Sequence, residues 1–311
     1  ISLKEYDNQQ LDLKYDQPIT SVALFGDETN PERELSSYSL FGRDKLGRSL
    51  LWRTMLGGAI SLGIGLAAAC LSLVIGVTWG ATAGYFGGRI DSAMMRFVDI
   101  LYGLPYILLV VLIDIAVKDT VVKWVGYFMD EGPAENVGEV LTLLIAIGGV
   151  SWLTMARVIR GQVLSLRSLP FIEAARAAGA SPVHIFTRHL LPNLVGPIVV
   201  YTTLTVPQAI LQESFLSFLG IGVQVPLPSW GNLAADGVQQ LHDIPTPDPD
   251  LPFFQRVGAA INLFWTSTTS GNFRWWLLVW PCLLLGLTLL ALNYLGDALR
   301  NRVDPRSVQR K

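Results

Sequence analysis

Three acidic residues interrupt long apolar stretches and are the first candidates for chemistry. Asp99, Asp114 and Glu213 lie within or at the end of such stretches. A carboxylate surrounded by hydrocarbon is costly, so such residues often mark a transport pathway. Asp99 follows Arg96 within one helical turn, where an ion pair or a cap-like bond within the helix is favoured over a transport role. Asp114 precedes Lys118 by four residues, where pairing is also expected. Glu213 ends an apolar run before a glycine-rich stretch, which makes it the candidate for lining a cavity.

A second motif has the spacing of a phosphate-binding loop. The segment GRDKLGRS, Gly42 to Ser49, matches that spacing, but Arg48 replaces the lysine that reaches the terminal phosphates. No buried strand precedes it, as the phosphate loop requires. We therefore interpret it as a glycine-containing turn at the membrane surface, with its arginines at the level of the lipid headgroups.

Other catalytic or metal-binding patterns are not apparent in the sequence. The histidines His184, His189 and His242 fall in segments predicted below to lie on opposite sides of a membrane, and the sequence shows no paired catalytic carboxylates. Cys70 and Cys282 lie in separate apolar runs and are predicted to be packing residues. With a formal net charge of -2, the chain has no basic excess that would favour nucleic acid. We predict no enzymatic activity, cofactor, metal or nucleic-acid partner for this chain.

The elements that carry these residues are membrane spans. The 311 residues are 51% apolar and only 15% charged, against about 25% charged in soluble proteins. A helix needs about 20 mostly apolar residues to cross the bilayer. Five segments predict such helices: one within Thr54–Gly88, then Phe97–Val117, Val140–Ile159, Leu190–Gln212 and Trp275–Gly296.

The distribution of charge orients these spans. The segments Ala83–Arg96, Arg157–His189 and Asp297–Lys311 carry 12 Lys and Arg against 4 Asp and Glu, whereas the alternate segments carry 11 against 18. Basic loops favour the cytoplasmic side of a membrane. We predict an extracytoplasmic segment 1–53, a transmembrane domain 54–300 with a cytoplasmic loop 161–190 and an outer loop 221–274, and a cytoplasmic tail 301–311. Export of segment 1–53 favours a sixth helix upstream of residue 1.

The longest cytoplasmic loop contains the sequence FIEAARAAGASPVHIFTRHLLPN, Phe171 to Asn193. Its alanines favour a short helix, Gly179 is suited to end it, and Ser181-Pro182 is suited to begin the next. Small side chains permit the close approach of a partner, and the neighbouring charges can fix its register. The alternative is a solvated, mildly basic connector between two spans.

This order of residues resembles the EAA loop of ABC importer permeases. Three further segments look like the C-type permease subunit of oligopeptide, dipeptide and nickel importers: LFGRDKLGRSLLWRTMLGGAISLGIGL, AGYFGGRIDSAMMRFVDILYGLP and ESFLSFLGIGVQVPLPSWGNL. Stretches 118–139 and 234–273 appear expanded relative to that pattern. The resemblance implies an all-α, polytopic transmembrane helical bundle of the type I importer permease fold. It assigns ATPase coupling to Glu173, Ala174, Ala175, Arg176, Gly179, Leu191 and Pro192.

The resemblance also implies the partners. They are a second, B-type permease subunit, two cytoplasmic ATPase subunits that hold ATP and Mg, and an extracytoplasmic substrate-binding protein. Membrane lipid is a further partner. Peptides are the expected cargo, and nickel or another small solute is the alternative. An ion-coupled secondary transporter would show inverted repeats with charged, broken helices, and a membrane scaffold would tolerate loss of the cytoplasmic helix.

Two further features concern packing and the membrane surface. Gly76, Gly80 and Gly84 form a stripe that lets two helices approach closely, either within the chain or across a dimer of permeases. The segment from His242 to Trp276 joins an acidic, proline-rich linker to an aromatic stretch. We expect a half-embedded helix at the membrane surface there, and a substrate-gating loop is the alternative.

Overall fold

The computed structural model describes residues 41–42, 44, 48–242, 246–269 and 274–303. The predictions for residues 1–40 and 304–311 lie outside these ranges. The described chain folds into helices joined by short turns. The helices are α1 (Leu50–Phe86), α2 (Gly88–Tyr102), α3 (Tyr106–Gly126), α4 (Glu131–Leu166), α5 (Pro170–Ala177), α6 (Pro182–Ile185), α7 (Leu191–Phe218), α8 (Trp230–His242), α9 (Phe253–Thr269) and α10 (Trp276–Val303), with a π-helical turn at Phe186–Leu190 between α6 and α7.

Four stretches of helix are long and apolar enough to cross a membrane. They are α1, α4, the run Pro182–Phe218 that includes α7, and α10. A fifth span is present if α2 and α3 are counted as one bent pair. The predicted all-α polytopic fold is confirmed, with helices that extend beyond the apolar runs on which the prediction relied.

The second predicted span, Phe97–Val117, is not one continuous helix. Helix α2 ends at Tyr102, α3 begins at Tyr106, and their axes differ by 96°. Pro105 has no backbone N–H and disfavours the helical conformation in the residue before it. The N–H of Gly103 bonds the Asp99 carbonyl at 3.0 Å and ends α2 there. Composition alone did not reveal this break, because every residue across it is uncharged.

The expected outer loop between residues 118 and 139 is mostly helical. Helix α3 continues to Gly126 and α4 begins at Glu131. Lys118 donates a hydrogen bond to Glu139 at 2.8 Å and so connects the two helices. The ammonium group thus bonds a carboxylate of the next helix, and the predicted partner Asp114 also interacts with it electrostatically.

Helices α1 and α4 pack closely along the predicted glycine stripe. A methyl group added at Gly76 would lie 2.6 Å from Cβ of Met155, and one at Gly84 would lie 2.9 Å from Cβ of Val163. At Gly80 the nearest atom would be the Ala156 carbonyl oxygen. In this structure the stripe thus packs within the chain, and it leaves no room for a side chain.

The described chain divides into two compact units. The first contains the residues up to Ile60, Leu216–Gly220 and Gln224–Gly286, and its core forms around Leu50, Leu233, Trp276 and Leu277. The second contains Ser61–Phe215, Ile221–Val223 and Leu287 onward. Its core cluster draws on four successive parts of the chain: Val77, Ala81, Met155, Ile159, Val163, Ile172, Ile185, Leu190 and Leu194.

Candidate functional site

The short helix α5 is defined by local signals at both ends. Pro170 occupies its first position, where a missing N–H costs nothing. Gly179 follows the helix with φ +80°, a conformation that favours glycine. The N–H of Ala180 bonds the Ala175 carbonyl at 3.0 Å and that of Gly179 bonds the Arg176 carbonyl at 2.9 Å. These two bonds form a Schellman motif, so the helix ends where the sequence predicted.

One side chain anchors α5 in the core of the second unit. Ile172 is 0% exposed and belongs to the core cluster formed by α1, α4 and the segment Ile185–Leu194. Ala175 and Ala180 pack against the same cluster. Displacement of α5 would therefore act directly on side chains of three membrane-spanning stretches.

The opposite face of α5 is exposed and nearly flat. Glu173, Ala174, Ala177, Ala178 and Gly179 are all exposed. Only Glu173 among them extends beyond a methyl group, so a partner could approach the backbone of this helix closely. We call these five residues the α5 face.

Arg176 contacts the end of α1 as well as solvent. Its guanidinium lies 5.1 Å from the centre of the Tyr85 ring, within the range of a cation–π contact. Arg167 lies at the same end of α1 and donates a hydrogen bond to the Gly84 carbonyl at 3.0 Å. Gly87, at φ +66°, has no side chain and leaves the space that the Arg167 guanidinium fills. Two cations thus stabilise the carboxyl end of α1 beside α5.

The rest of the predicted coupling segment leads from α5 into the long helix α7. Ser181 caps α6 by accepting a hydrogen bond from the His184 N–H at 3.3 Å. The π-helical turn Phe186–Leu190 then joins α6 to α7 without a break. Leu191 is half-buried and Pro192 is exposed, so the last two predicted coupling residues lie in the first turn of α7, apart from the α5 face.

Two ion pairs connect α4 to α2. Arg157 bonds Asp99 at 2.8 Å and lies 3.9 Å above the Tyr102 ring. The predicted pairing of Asp99 with Arg96 is therefore wrong. Arg160 bonds Asp91 through both carboxylate oxygens, at 2.5 and 2.6 Å. Neither pair could be predicted from the sequence, because the two members of each pair lie on different helices.

A cavity of about 390 Å³ opens within the second unit at the break between α2 and α3. Its polar lining includes Tyr201, Thr205, Gln208 and Gln212, which follow one face of α7. Tyr106 donates a hydrogen bond to Oε1 of Gln212 at 2.5 Å. This site was not predicted from the sequence, although the helical spacing of these polar residues within an apolar stretch indicates that they share one face of the helix. The cavity offers neutral donors and acceptors among apolar side chains.

Glu213 follows Gln212 in the sequence but does not line the cavity. It is 0% exposed, accepts a hydrogen bond from the Ser214 hydroxyl at 3.3 Å and is not part of the cavity lining. In this conformation the carboxylate is covered by protein.

The GRDKLGRS segment has a structural role in the first unit. Asp44 accepts hydrogen bonds from the Arg48 backbone and side chain, at 2.8 and 2.7 Å, and from the Arg53 guanidinium at 2.8 Å. Arg53 follows the segment and has a side chain that is only 8% exposed, whereas the Arg48 side chain within the segment is 41% exposed. This pairing gives Arg48 a structural role that does not require a phosphate.

Two remaining predictions concern cysteine and metal. Cys70 and Cys282 are free cysteines that are exposed on the surface of the chain, so as packing residues they do not belong to its core. Within the described ranges, no group of three or more His, Cys, Asp and Glu side chains is placed to hold a metal ion.

Comparison with known proteins gives consistent matches over most of the chain. The family model described as "Binding-protein-dependent transport system inner membrane component" matches residues 76–309. The dipeptide transport system permease protein DppC of Bacillus subtilis is 40% identical over 266 residues, which cover 86% of this chain and 68% of that protein. The oligopeptide transport system permease protein OppC of Escherichia coli is 40% identical over 276 residues, or 89% and 74% of the two chains.

Solved structures show the same fold. Two inward-facing crystal forms of the MetNI methionine ABC transporter match with TM-scores of 0.50 and 0.53, at 18% and 17% identity. Each match covers 82% of this chain and 98% of the other. At this identity, the likeness shows the fold and nothing finer.

Proposed function

This chain belongs to the family of inner membrane components of binding-protein-dependent transport systems, and on that premise we propose that it carries peptides across the membrane. Partner subunits that hydrolyse ATP would drive this transport. The family consists of transport permeases. Peptide cargo is favoured by relatives that are named for dipeptide and oligopeptide transport. The chain's own part is to form a pathway and to respond to its partners.

The observation that carries the proposal is the position of α5. The α5 face is exposed and made almost entirely of small residues, while Ile172 on the other side of the helix reaches a core shared with α1, α4 and α7. A partner that binds the α5 face therefore acts on the membrane-spanning helices through packed side chains. Close-packed cores transmit such displacements because they are hard to compress.

We assign ATPase coupling to Glu173, Ala174, Ala175, Arg176 and Gly179, with Leu191 and Pro192 at the start of α7. Movement of two cytoplasmic ATPase subunits would displace α5 and switch the spans between two discrete arrangements. ATP and Mg would be held by those subunits. A second, B-type permease and an extracytoplasmic binding protein would complete the assembly.

The cavity beside α7 is the proposed part of the pathway. Its amide and hydroxyl groups can exchange hydrogen bonds with peptide groups, and its apolar walls tolerate varied side chains. Glu213 can take part only in a conformation that uncovers it. A cargo-dependent change in its exposure is therefore part of this proposal.

The coupling role can be tested by adding bulk to the α5 face. We expect Ala177→Trp to lower cargo uptake and binding-protein-stimulated ATPase activity by roughly tenfold, within the range of typical coupling energies. Ala298→Trp is the matched control, since Ala298 is also exposed and lies in the region predicted to be cytoplasmic. Retention of uptake and ATPase stimulation by Ala177→Trp, at normal membrane levels, would refute the coupling role.

The cargo is tested separately with the reconstituted transporter. We expect ATP-dependent accumulation of at least some di- to oligopeptides, unaffected by dissipation of ion gradients. If uptake follows an ion gradient and not ATP, the chain belongs to an ion-coupled system. Failure of every peptide, with uptake of nickel or another solute, would remove the peptide assignment and leave the coupling role intact.

A further inference from the structure

Helix α9 presents an apolar stripe that is exposed along the helix. Viewed along the helix axis, Phe253, Val257, Ile261 and Phe264 share one side, and Phe254 and Trp265 adjoin it. All six are exposed, from 42% for Val257 to 86% for Phe254. The stripe runs the length of the helix and contains no charged residue.

The other side of α9 is polar or turned toward the protein. Gln255 and Asn262 are exposed there. Arg256 donates hydrogen bonds to the carbonyls of Pro249 and Leu251, and thereby links the first turn of the helix to the segment before it. Ser267 is 8% exposed and Leu263 is half-buried. The helix is thus held by one side while its apolar stripe points away.

The position of α9 in the chain places it near the membrane surface. Helix α9 ends at Thr269, and the spanning helix α10 begins at Trp276. A connection of this length reaches at most about 20–25 Å. The first turns of α10 expose Val279, Cys282 and Leu283, a surface suited to lipid. The apolar stripe of α9 therefore lies within a short reach of a helix that is long and apolar enough to span the membrane.

We propose that α9 lies parallel to the membrane in its water–lipid interface, with the stripe of Phe253, Phe254, Val257, Ile261, Phe264 and Trp265 in contact with the lipid. Aromatic rings are favoured at this depth because they are apolar and still tolerate neighbouring water. A charge-free stripe lacks the charged groups that would set register with a protein partner, which favours lipid as the occupant. The inference requires only that α10 spans the membrane, and it does not depend on the cargo or on α5.

A fluorescent label can test this arrangement in the full chain. With Cys70 and Cys282 replaced by alanine, Ile261→Cys and Asn262→Cys each provide one exposed site for an environment-sensitive dye. The two sites lie at nearly the same height on α9 and about 100° apart around its axis, one within the stripe and one beside it. In phosphatidylcholine–phosphatidylglycerol nanodiscs, a nitroxide on the lipid near the headgroup should quench the dye at 261 at least about twofold more than at 262. Aqueous iodide should show the reverse order.

A second pair, Val257→Cys and Gln255→Cys, keeps the test independent of any one variant. Equal quenching at the paired sites would overturn the proposal. Stronger quenching at 261 by a nitroxide at the end of the acyl chain would also overturn it, since it would place α9 deep in the bilayer. Lipid quenching that is lost when the binding protein or a second permease is added would assign the stripe to a protein partner instead.

Discussion

Arg160 on α4 holds Asp91 on α2 through two parallel hydrogen bonds of 2.5 and 2.6 Å, although the residues lie 69 positions apart. The Asp91 side chain is 11% exposed and that of Arg160 is 34% exposed. The carboxylate has therefore lost most of its water and relies on the guanidinium. The pair fixes the start of α2 against α4, and Arg160 lies between Ile159 and Val163 of the core cluster that anchors α5.

Removal of either partner should destabilise the chain. We expect Arg160→Ala to lower the free energy of unfolding by roughly 2 kcal/mol, because the buried carboxylate loses its counter-charge. The double variant Asp91→Ala/Arg160→Ala should recover part of that loss, which a double-mutant cycle of thermal unfolding in detergent would measure. Additive effects of the two substitutions would contradict a direct energetic coupling.

The contact between α1 and α4 predicts opposite effects for two glycines of one helix. Gly80→Ala should destabilise the chain by about 1–3 kcal/mol, because its methyl group meets the Ala156 carbonyl, which is backbone and cannot turn aside. Gly63→Ala is the control, since no atom lies within 4 Å of its added methyl. It should be neutral or stabilising by up to about 1 kcal/mol. Equal melting temperatures for the two variants would argue against close packing at Gly80.

The end of α5 predicts that ATPase stimulation depends on the backbone conformation of Gly179. Gly179 has φ +80°, and no atom lies within 4 Å of a methyl added there. A side chain at this position would therefore strain the backbone without a clash inside the chain, at a cost of about 1–2 kcal/mol. Gly179→Val should weaken binding-protein-stimulated ATPase activity, while Gly179→Asn should retain most of it, since asparagine tolerates positive φ. If Asn impairs stimulation as much as Val, bulk at a partner surface is the cause instead.

The cavity beside α7 predicts a change in cargo affinity without a change in folding. Tyr106→Phe removes the hydroxyl that bonds Gln212 and should alter KM for uptake by roughly fivefold, the equivalent of one hydrogen bond. Thermal unfolding should be little changed. Tyr294→Phe, at a side chain that is 79% exposed on α10, should leave KM unaltered. Equal KM values for the two variants and the parent chain would exclude Tyr106 from the pathway.

The sequence by itself determined the elements whose signals are local. Apolar runs located α1, α4, α7 and α10, since a membrane span is defined by the composition of its own residues. Gly179 likewise defined the carboxyl end of α5. Gly103 and Pro105 mark the break between α2 and α3 in the sequence. A count of apolar residues over the whole span does not detect them, because both are uncharged.

Only the tertiary structure decided which side chains meet. Asp99 pairs with Arg157 across 58 positions and Tyr106 meets Gln212 across 106, while nearby Arg96 had seemed the partner of Asp99. The glycine stripe was evident from its spacing, but its partner α4 was not. Helical periodicity tells which residues share a face, whereas the choice of the opposing face depends on how all the helices pack at once. The spans and the α5 helix could thus be predicted, but the ion pairs, the cavity and the buried position of Glu213 could not.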